Sequence, residues 1–329
     1  MRIAIVKLSA LGDIVHAMAV LQVIKEASPS IKIDWIVEEV FVGVLQHNPH
    51  IDNILPVNLK ALKKDKSRFF IELQKIKKYK EHNYDVVIDL QGLIKSAVVS
   101  KLLGQAIGFD KNSIREKWAA SLYKHAFFVP YEKNVIERNI ALVKEGLSLE
   151  VEEDYLEKKQ PFLYFLVEDK EKISSYIAQH TIVHILGSSW ASKVYPKEKF
   201  VEIIDALEGN HLLVWGNDEE LRSAEYIADK TNAKVMPKMN LNVLKALISE
   251  ADLVIGGDSG PTHFAWALNR PSITIFGPTP SDRNTLVTKI NKVIDCGKEI
   301  NPLKLDKQDF CIKHIESSKI ISLAKELLA

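Results

Sequence analysis

The feature that most constrains the fold is an alternation of short, apolar, β-rich runs with amphipathic helical segments, and it occurs twice along the chain. Strands that alternate with helices in this way form a parallel sheet with crossover helices. The first series of predicted strands covers residues 2–6, 32–37, 53–57, 85–90 and 106–109. The second series covers residues 181–186, 211–215, 234–236, 253–256 and 272–276. The sequence therefore predicts an α/β protein with two Rossmann-like domains.

The length of the chain also favours two domains, because 329 residues exceed what a single hydrophobic core usually supports. The charged segment 150–161 separates the two series of strands. We expect an N-terminal domain at 1–155, a C-terminal domain at 156–312 and a final amphipathic helix within 313–329. Ligands of open parallel sheets bind beyond the carboxyl ends of the strands, so we expect the functional loops there, in a cleft between the domains.

Composition excludes several classes of protein. Lys and Arg number 44 against 43 Asp and Glu, so no global charge attracts nucleic acid. The N-terminus lacks a signal-peptide pattern and no apolar run reaches the length of a membrane span, so we expect a cytoplasmic protein. Cys296 and Cys311 are too few for a disulfide framework and lack metal-ligand spacing, so we expect free thiols.

A glycine-rich turn at residues 256–263 follows a buried-type strand and precedes a helix. Gly256, Gly257 and Gly260 permit close approach of the backbone to a ligand, and the free N–H groups at the start of a helix attract an anion. This pattern suits a phosphate group. The alternative is an ordinary tight turn in which Asp258 or Ser259 caps the helix.

A second candidate anion site follows another strand. Ser188 and Ser189 offer hydroxyl donors and Lys193 offers an ammonium group, although a solvated loop remains the alternative. After the next strand, Asp218 and Glu219 could accept hydrogen bonds from sugar hydroxyls. Acidic residues are also common at the start of a helix for purely local reasons, so both interpretations stay open.

Asp13 lies in the loop after the first strand. Its local sequence is consistent with a helix cap and also with a reactive carboxylate that faces the cleft.

The chain has no Asp-x-Asp pair for a divalent metal, no P-loop and no strand-linked G-x-G-x-x-G. Protein groups would then have to stabilise a leaving phosphate, and we expect no metal ion and no cofactor.

Four segments, residues 1–18, 84–97, 237–241 and 256–279, resemble in sequence, order and spacing those of the glycosyltransferase family 9 heptosyltransferases, and the likeness covers nearly the whole chain. The resemblance implies a GT-B fold of two facing Rossmann-like domains, with the tail helix packed back on the N-terminal domain. It also implies inverting, metal-independent transfer of heptose from ADP-L-glycero-β-D-manno-heptose to the inner Kdo of Kdo₂-lipid A, the first heptose step of the lipopolysaccharide core.

Roles for single residues also follow from the resemblance. Asp13 would be the general base, Lys193 would stabilise the leaving diphosphate and Met239 would lie near the adenine. The implied donor-binding residues are Ser188, Ser189, Lys193, Asp218, Glu219, Met239, Asp258, Ser259, Gly260, Thr262 and His263. The implied acceptor-binding residues are Lys7, Ser9, Ala10, Gly12, Lys60, Lys63, Lys64 and Arg115.

An acidic, lipid-linked acceptor requires a basic surface on the N-terminal half. One group of cations, at 60–68, follows the third strand, and a second group, at 75–80, lies on a probable helix whose charges are equally consistent with a solvated face. The same cations favour an anionic membrane surface, so we expect a peripheral protein on the cytoplasmic face of the inner membrane.

Other functions stay open at this point. A nucleotide-sugar epimerase of the same two-domain fold would convert a sugar nucleotide without an acceptor. A catalytically silent sensor would bind the sugar nucleotide and transfer nothing. Within the family, a heptosyltransferase that acts later in the core is the nearest competitor.

Overall fold

The computed structural model describes residues 1–63, 65–152 and 154–329, without the side chain of Lys63. These residues form two compact units, Met1–Phe162 and Leu163–Ala329. The predicted division after residue 155 is too early. Tyr155 donates its hydroxyl hydrogen to the Ala19 carbonyl at 3.0 Å, and the Asn48 amide donates to the carbonyl of the fully buried Phe162 at 3.0 Å. These contacts fix the segment that precedes the division in the first unit.

The first unit contains a parallel six-stranded sheet of order β3-β2-β1-β4-β5-β6 in the described ranges. Its strands are β1 (Arg2–Val6), β2 (Lys32–Glu38), β3 (Asn53–Val57), β4 (Val86–Asp89), β5 (Ala106–Phe109) and β6 (His125–Phe127). Its helices are α1 (Leu11–Ala27), α2 (Val42–Leu45), α3 (Phe69–Lys80), α4 (Ile94–Leu103), α5 (Val135–Leu147) and α6 (Tyr155–Lys158). Helix α1 packs against α5, and α3 packs against α4. Right-handed crossovers place α1 on one face of the sheet and α3 and α4 on the other, and α5 lies beside α1.

The second unit repeats this plan with the order β12-β11-β10-β7-β8-β9, again for the part of the chain that is described. Its strands are β7 (Thr181–Ile185), β8 (Asn210–Val214), β9 (Lys234–Val235), β10 (Leu253–Gly257), β11 (Ser272–Phe276) and β12 (Asn291–Asp295). Its helices are α7 (Val167–Glu171), α8 (Lys197–Asp205), α9 (Asp218–Ala228), α10 (Leu241–Ser249), α11 (Gly260–Ala267), α12 (Ser281–Asn284) and α13 (Ser317–Leu328). Within the described ranges, no helix combines the length and the apolar character needed to cross a membrane.

Each of the ten predicted strands is present, with both ends within one residue of the prediction. The two strands that the sequence analysis missed are β6 and β12, which lie at the edges of their sheets. Both are only partly buried, so neither carries the continuous apolar run by which the inner strands are recognised. These two strands form because they pair with a neighbouring strand, and that pairing is not visible in a short stretch of sequence.

The final helix, α13, was expected to pack back on the N-terminal domain, and the structure assigns it to the second unit. It packs against α8 and against β10, β11 and β12 of its own unit. Ile320 and Ala324 are fully buried in the same apolar cluster as Ile312 and Ile315. The apolar stripe of the helix therefore completes the core of the second unit.

Candidate functional site

The predicted phosphate loop lies at the carboxyl edge of the second sheet, where β10 runs into α11. Asp258 follows β10 directly and is buried. Its Oδ2 lies 2.8 Å from the Lys193 Nζ and accepts a hydrogen bond from the Thr279 hydroxyl at 2.7 Å. Its Oδ1 lies 3.0 Å from the His263 Nε2. Three side chains from three separate segments thus converge on one carboxylate.

Burial by itself would raise the pKa of Asp258, because a carboxylate loses hydration in the protein interior. The Lys193 ammonium and the His263 ring more than offset this effect, so the pKa lies far below its ordinary value. Asp258 is therefore ionised and holds Lys193 in place. The sequence analysis identified Asp258, Lys193 and His263 but missed Thr279, whose position after β11 was a usable signal because that strand ends at the same edge.

Both candidate phosphate loops meet at this edge. The Ser188 hydroxyl donates to the Asp258 carbonyl at 3.1 Å, and Ser189 is exposed. A Cβ atom on Gly257 would lie 2.7 Å from the Lys193 carbonyl oxygen, so only glycine permits this approach of the two loops. The loops are thereby held in contact, with the Lys193 ammonium beside Asp258, two residues before α11 begins.

The start of α11 contributes backbone and hydroxyl groups. Ser259 is the N-cap residue and its Oγ lies 3.1 Å from the Thr262 Oγ1. Its side chain makes no capping hydrogen bond, and Gly260 is the first helical residue. The free N–H groups and the positive end of the helix dipole favour an anion here. The structure therefore does not support the alternative in which Asp258 or Ser259 serves only as a side-chain cap of this helix.

The acidic group near this edge is Glu220, which the sequence analysis did not select. Asp218 and Glu219 are exposed. The Glu220 carboxylate accepts hydrogen bonds from the Gly216 N–H and the Asn217 side-chain amide, both at 2.6 Å. It also occupies the space that a Cβ atom on Gly187 would need, at 2.1 Å. The acidic side chain that reaches the phosphate loop is therefore the third residue of α9.

A pocket of about 590 Å³ lies beside these groups and is lined in part by Ser188, Ser189, Glu219 and Glu220. Phe310 and Lys313 also line it. Met239, predicted near the adenine, is half-buried in the loop that follows β9. It directly precedes the Asn240 N-cap of α10 and is not among the residues that line this pocket.

In the first unit, Asp13 lies in the first turn of α1, after β1. Ala10 is the N-cap residue, so Asp13 is not itself the cap. Its Oδ2 accepts a hydrogen bond from the Ala10 N–H at 3.1 Å, which leaves Oδ1 available for another partner. Gly12, one of the implied acceptor-binding residues, is the second residue of the regular helix. The chain turns before Leu11, because the helix begins there.

The loop that carries Asp13 is fixed by the loop after β4. The Gln91 side-chain oxygen accepts hydrogen bonds from the N–H groups of Leu8 and Ser9, each at 3.1 Å. Lys7, predicted to bind the acceptor, is buried and donates from Nζ to the Leu90 carbonyl at 2.9 Å. Its ammonium group therefore joins the two loops and does not project into solvent.

The predicted basic residues differ in how far the structure describes them. Lys60 is exposed, with Nζ 4.7 Å from the centre of the Phe41 ring, and Arg115 is exposed. Lys64 and the side chain of Lys63 lie outside the described residues. Lys60 and Arg115 follow β3 and β5, whose carboxyl ends share the edge at which α1 begins.

Glu38, the last residue of β2, is a buried carboxylate at this edge that the sequence analysis missed. Burial raises its pKa, and backbone N–H groups together with Lys95 and Lys60 partly counter that effect. Among the described residues its Oε1 has no hydrogen-bond partner. A single acidic residue at a strand end carries no signal in the sequence that would separate it from an ordinary surface residue.

Comparison with known proteins adds to this geometry. The model of glycosyltransferase family 9 (heptosyltransferase) matches residues 73–311. The chain is 40% identical to lipopolysaccharide heptosyltransferase 1 of Campylobacter coli, with 99% of each chain covered. It is 30% identical to lipopolysaccharide heptosyltransferase 1 of Escherichia coli K12, over 85% of this chain and 88% of the relative.

A solved structure, E. coli heptosyltransferase WaaC with ADP, is similar to this chain at 25% identity and a TM-score of 0.82, covering 99% of this chain and 100% of the other. The same E. coli enzyme with ADP-2-deoxy-2-fluoro heptose is 26% identical, with a TM-score of 0.79 and 99% of each chain covered. These likenesses confirm the predicted fold class, an α/β protein of the GT-B type with two Rossmann-like units.

Proposed function

Because the chain belongs to glycosyltransferase family 9, the heptosyltransferases, we propose that it transfers L-glycero-D-manno-heptose from ADP-heptose to the inner Kdo of Kdo₂-lipid A in lipopolysaccharide inner-core synthesis. The observation that carries the proposal is the cluster of Asp258, Lys193 and His263 at the start of α11, which suits a diphosphate. The names of these two relatives supply the sugar and the pathway.

The donor half of the reaction needs stabilisation of the leaving ADP. Negative charge grows on the diphosphate as the bond to the anomeric carbon breaks. Lys193, fixed by Asp258, and the N–H groups at the start of α11 supply positive potential without a metal ion. The hydroxyls of Ser188, Ser189 and Thr262 add hydrogen-bond donors for phosphate oxygens, and Glu220 accepts from a donor hydroxyl.

The acceptor half needs removal of one proton. The hydroxyl oxygen of Kdo attacks the anomeric carbon from the side opposite the diphosphate, so the configuration inverts. Asp13 takes the hydroxyl proton on Oδ1, and the bonding electrons leave with ADP. Its hydrogen bond from the Ala10 N–H restrains the carboxylate for this role. Ser9, Ala10 and the exposed Lys60 and Arg115 would bind the acidic acceptor.

The acceptor also sets the place of action. Kdo₂-lipid A is embedded in a membrane by its acyl chains, so the enzyme would work as a peripheral protein on the cytoplasmic face of the inner membrane. No nucleic acid and no cofactor enter the proposed reaction.

The test incubates purified protein with ADP-heptose and Kdo₂-lipid A in the presence of a chelator, with detection of one added heptose by mass spectrometry. Asp13→Asn should lower kcat about 10²- to 10⁴-fold, the usual contribution of a positioned base. The amide oxygen still accepts from the Ala10 N–H, so the helix start is preserved. Glu26→Gln, on the exposed end of α1, is the matched control and should keep normal turnover.

Each competing function predicts a different result in this assay. Conversion of the sugar nucleotide without acceptor would indicate an epimerase. Donor binding without transfer to any acceptor would indicate a silent sensor, and transfer only to an acceptor that already carries heptose would indicate a later core step. Normal turnover in Asp13→Asn would leave Asp13 a purely structural residue of the first turn.

A further inference from the structure

The first unit exposes an apolar surface that the proposed reaction does not use. It consists of large apolar side chains on three successive helical segments of this unit, and we call it the α3–α4 patch. Its members are Phe69, Phe70, Ile71, Ile94, Val98 and Trp118. Phe70 is 70% exposed and Trp118 is 81% exposed, which are unusual values for aromatic side chains of this size. Large exposed apolar groups that cluster in this way mark an interaction surface.

The members of the patch are neighbours in the fold. Helix α4 packs against α3 on one side and against the 3₁₀ helix Lys117–Leu122 on the other. Phe69, Phe70 and Ile71 are the first residues of α3, and Ile94 is the first residue of α4. The rings of Phe69 and Phe70 meet edge to face at 5.7 Å between centroids, yet both remain more than half exposed.

The topology also places the patch at the edge that carries the proposed acceptor site. Helix α3 follows β3, α4 follows β4 and the 3₁₀ helix follows β5. These strands are parallel to β1, so all three segments begin at the same carboxyl edge of the sheet as α1, which carries Asp13. An object that contacts the patch therefore lies at the edge from which the acceptor reaches Asp13.

The charge around the patch identifies the partner. Residues 60–80 contain nine Lys and Arg against two acidic residues, and residues 94–124 contain six against two. Lys66, Arg68, Arg115 and Lys117 are exposed beside the apolar side chains. Of the acids, Glu72 is buried with Lys75 at 2.9 Å, and Glu116 accepts from the Ile94 N–H at 2.7 Å. The exposed charge is therefore predominantly positive.

We infer that the α3–α4 patch docks on an anionic lipid bilayer, with Phe69, Phe70 and Trp118 entering the interface and the cations contacting lipid phosphates. Aromatic side chains with flanking lysines and arginines are the combination that binds the boundary between headgroups and acyl chains. Cations near the surface add roughly 1 kcal/mol each on an anionic membrane. The inference rests on the proposed function for the presence of a lipid-linked acceptor.

The test measures co-sedimentation of the full chain with phosphatidylglycerol-containing vesicles and with pure phosphatidylcholine vesicles, without donor or acceptor. We expect binding to the anionic vesicles that weakens at high ionic strength. The double variant Phe70→Glu with Trp118→Glu should lower the partition coefficient about tenfold or more, because two aromatic groups no longer enter the interface. The matched control, Val167→Glu with Val287→Glu, adds the same charge at exposed valines of the second unit and should bind normally.

Thermal melting of the double variant checks that the fold is intact, as expected for such exposed positions. Its turnover of a water-soluble, de-acylated acceptor should be unchanged, while turnover of the acceptor in vesicles should fall. Equal partitioning of the wild type and the double variant would overturn the inference. A concentration-dependent dimer that the same substitutions abolish would assign the patch to a second copy instead. Vesicle binding is independent of catalysis, so the failure of this inference and of the proposed function are distinguishable.

Discussion

Glu220 shows how a single side chain is placed by the tertiary structure. Asp218, Glu219 and Glu220 follow one another at the start of α9, and only Glu220 points back over Gly187. We predict that Glu220→Gln raises the donor KM about 10-fold or more, because a charged acceptor contributes more to a hydrogen bond than a neutral one. Glu219→Gln is the matched control and should leave KM within about twofold. If Glu219→Gln raised the donor KM and Glu220→Gln did not, Glu219 would be the residue that contacts the donor.

The Thr279 hydroxyl stabilises the buried carboxylate of Asp258 by a hydrogen bond. Thr279→Val removes the hydroxyl that donates to Oδ2 and keeps the volume of the side chain. We expect the free energy of unfolding to fall by roughly 1.5–3 kcal/mol, the usual contribution of a hydrogen bond to a charged group. Urea denaturation measures it, and Thr279→Ser, which retains a donor, should recover most of the loss. Equal stability of the Val and Ser variants would contradict the assignment.

At the scale of elements, the contact between the two phosphate loops depends on the missing side chain of Gly257. In Gly257→Ala the new methyl group would lie 2.7 Å from the Lys193 carbonyl oxygen, so one loop must move. We expect a loss of about 1–3 kcal/mol in the free energy of unfolding, typical of overpacking. Affinity for ADP should fall as well, and calorimetry measures it.

The matched control for this element is Gly104→Ala at the end of α4. A Cβ atom there would lie no closer than 3.6 Å to a neighbour, and the backbone is extended. We expect near-normal stability and ADP affinity for this variant. If Gly257→Ala behaved in the same way, the two loops would not depend on their close approach.

At the scale of the molecule, the second unit contains a buried pair of histidines that makes stability depend on pH. His211 Nε2 donates to the Leu207 carbonyl at 3.0 Å, and in the neutral ring Nδ1 accepts from the His184 Nε2, also at 3.0 Å. Burial favours the neutral form of both rings. Burial lowers the pKa of His184 well below its ordinary value, with a smaller contribution from His211, and burial also lowers the pKa of His211.

The sign of the pH dependence follows from these shifts. Below about pH 6.5 the unfolded chain binds protons at histidines that the folded chain leaves neutral, so stability falls as the pH falls. Each histidine contributes up to about 1.4 kcal/mol per pH unit. Urea denaturation at pH 7.5, 6.0 and 5.0 measures the slope, and His184→Gln should make it shallower. An unchanged slope in that variant would mean that the pair does not titrate on unfolding.

The fold was largely predictable from the sequence, since each of the ten predicted strands carries an apolar run that is a local property of the chain. The positions of the two candidate phosphate loops were predictable for a related reason. Gly256, Gly257 and the residues up to His263 follow a recognisable strand, and the carboxyl ends of parallel strands share one edge. By contrast, Glu38 carries no signal in the sequence, and only the first sheet brings it to the carboxyl edge at which α1 begins.

The sequence by itself determined two α/β units, the ten predicted strands and the family, and it nominated Asp13, Lys193 and Asp258 as site residues. These follow from periodicity and motifs, which are read over a few neighbouring residues. Only the tertiary structure decided that α13 completes the second core, that Lys7 is buried against Leu90, and that Glu220 reaches the phosphate loop. Those outcomes depend on which segments, far apart in the sequence, pack together and exclude water. That packing is a property of the folded molecule and cannot be read from neighbouring residues.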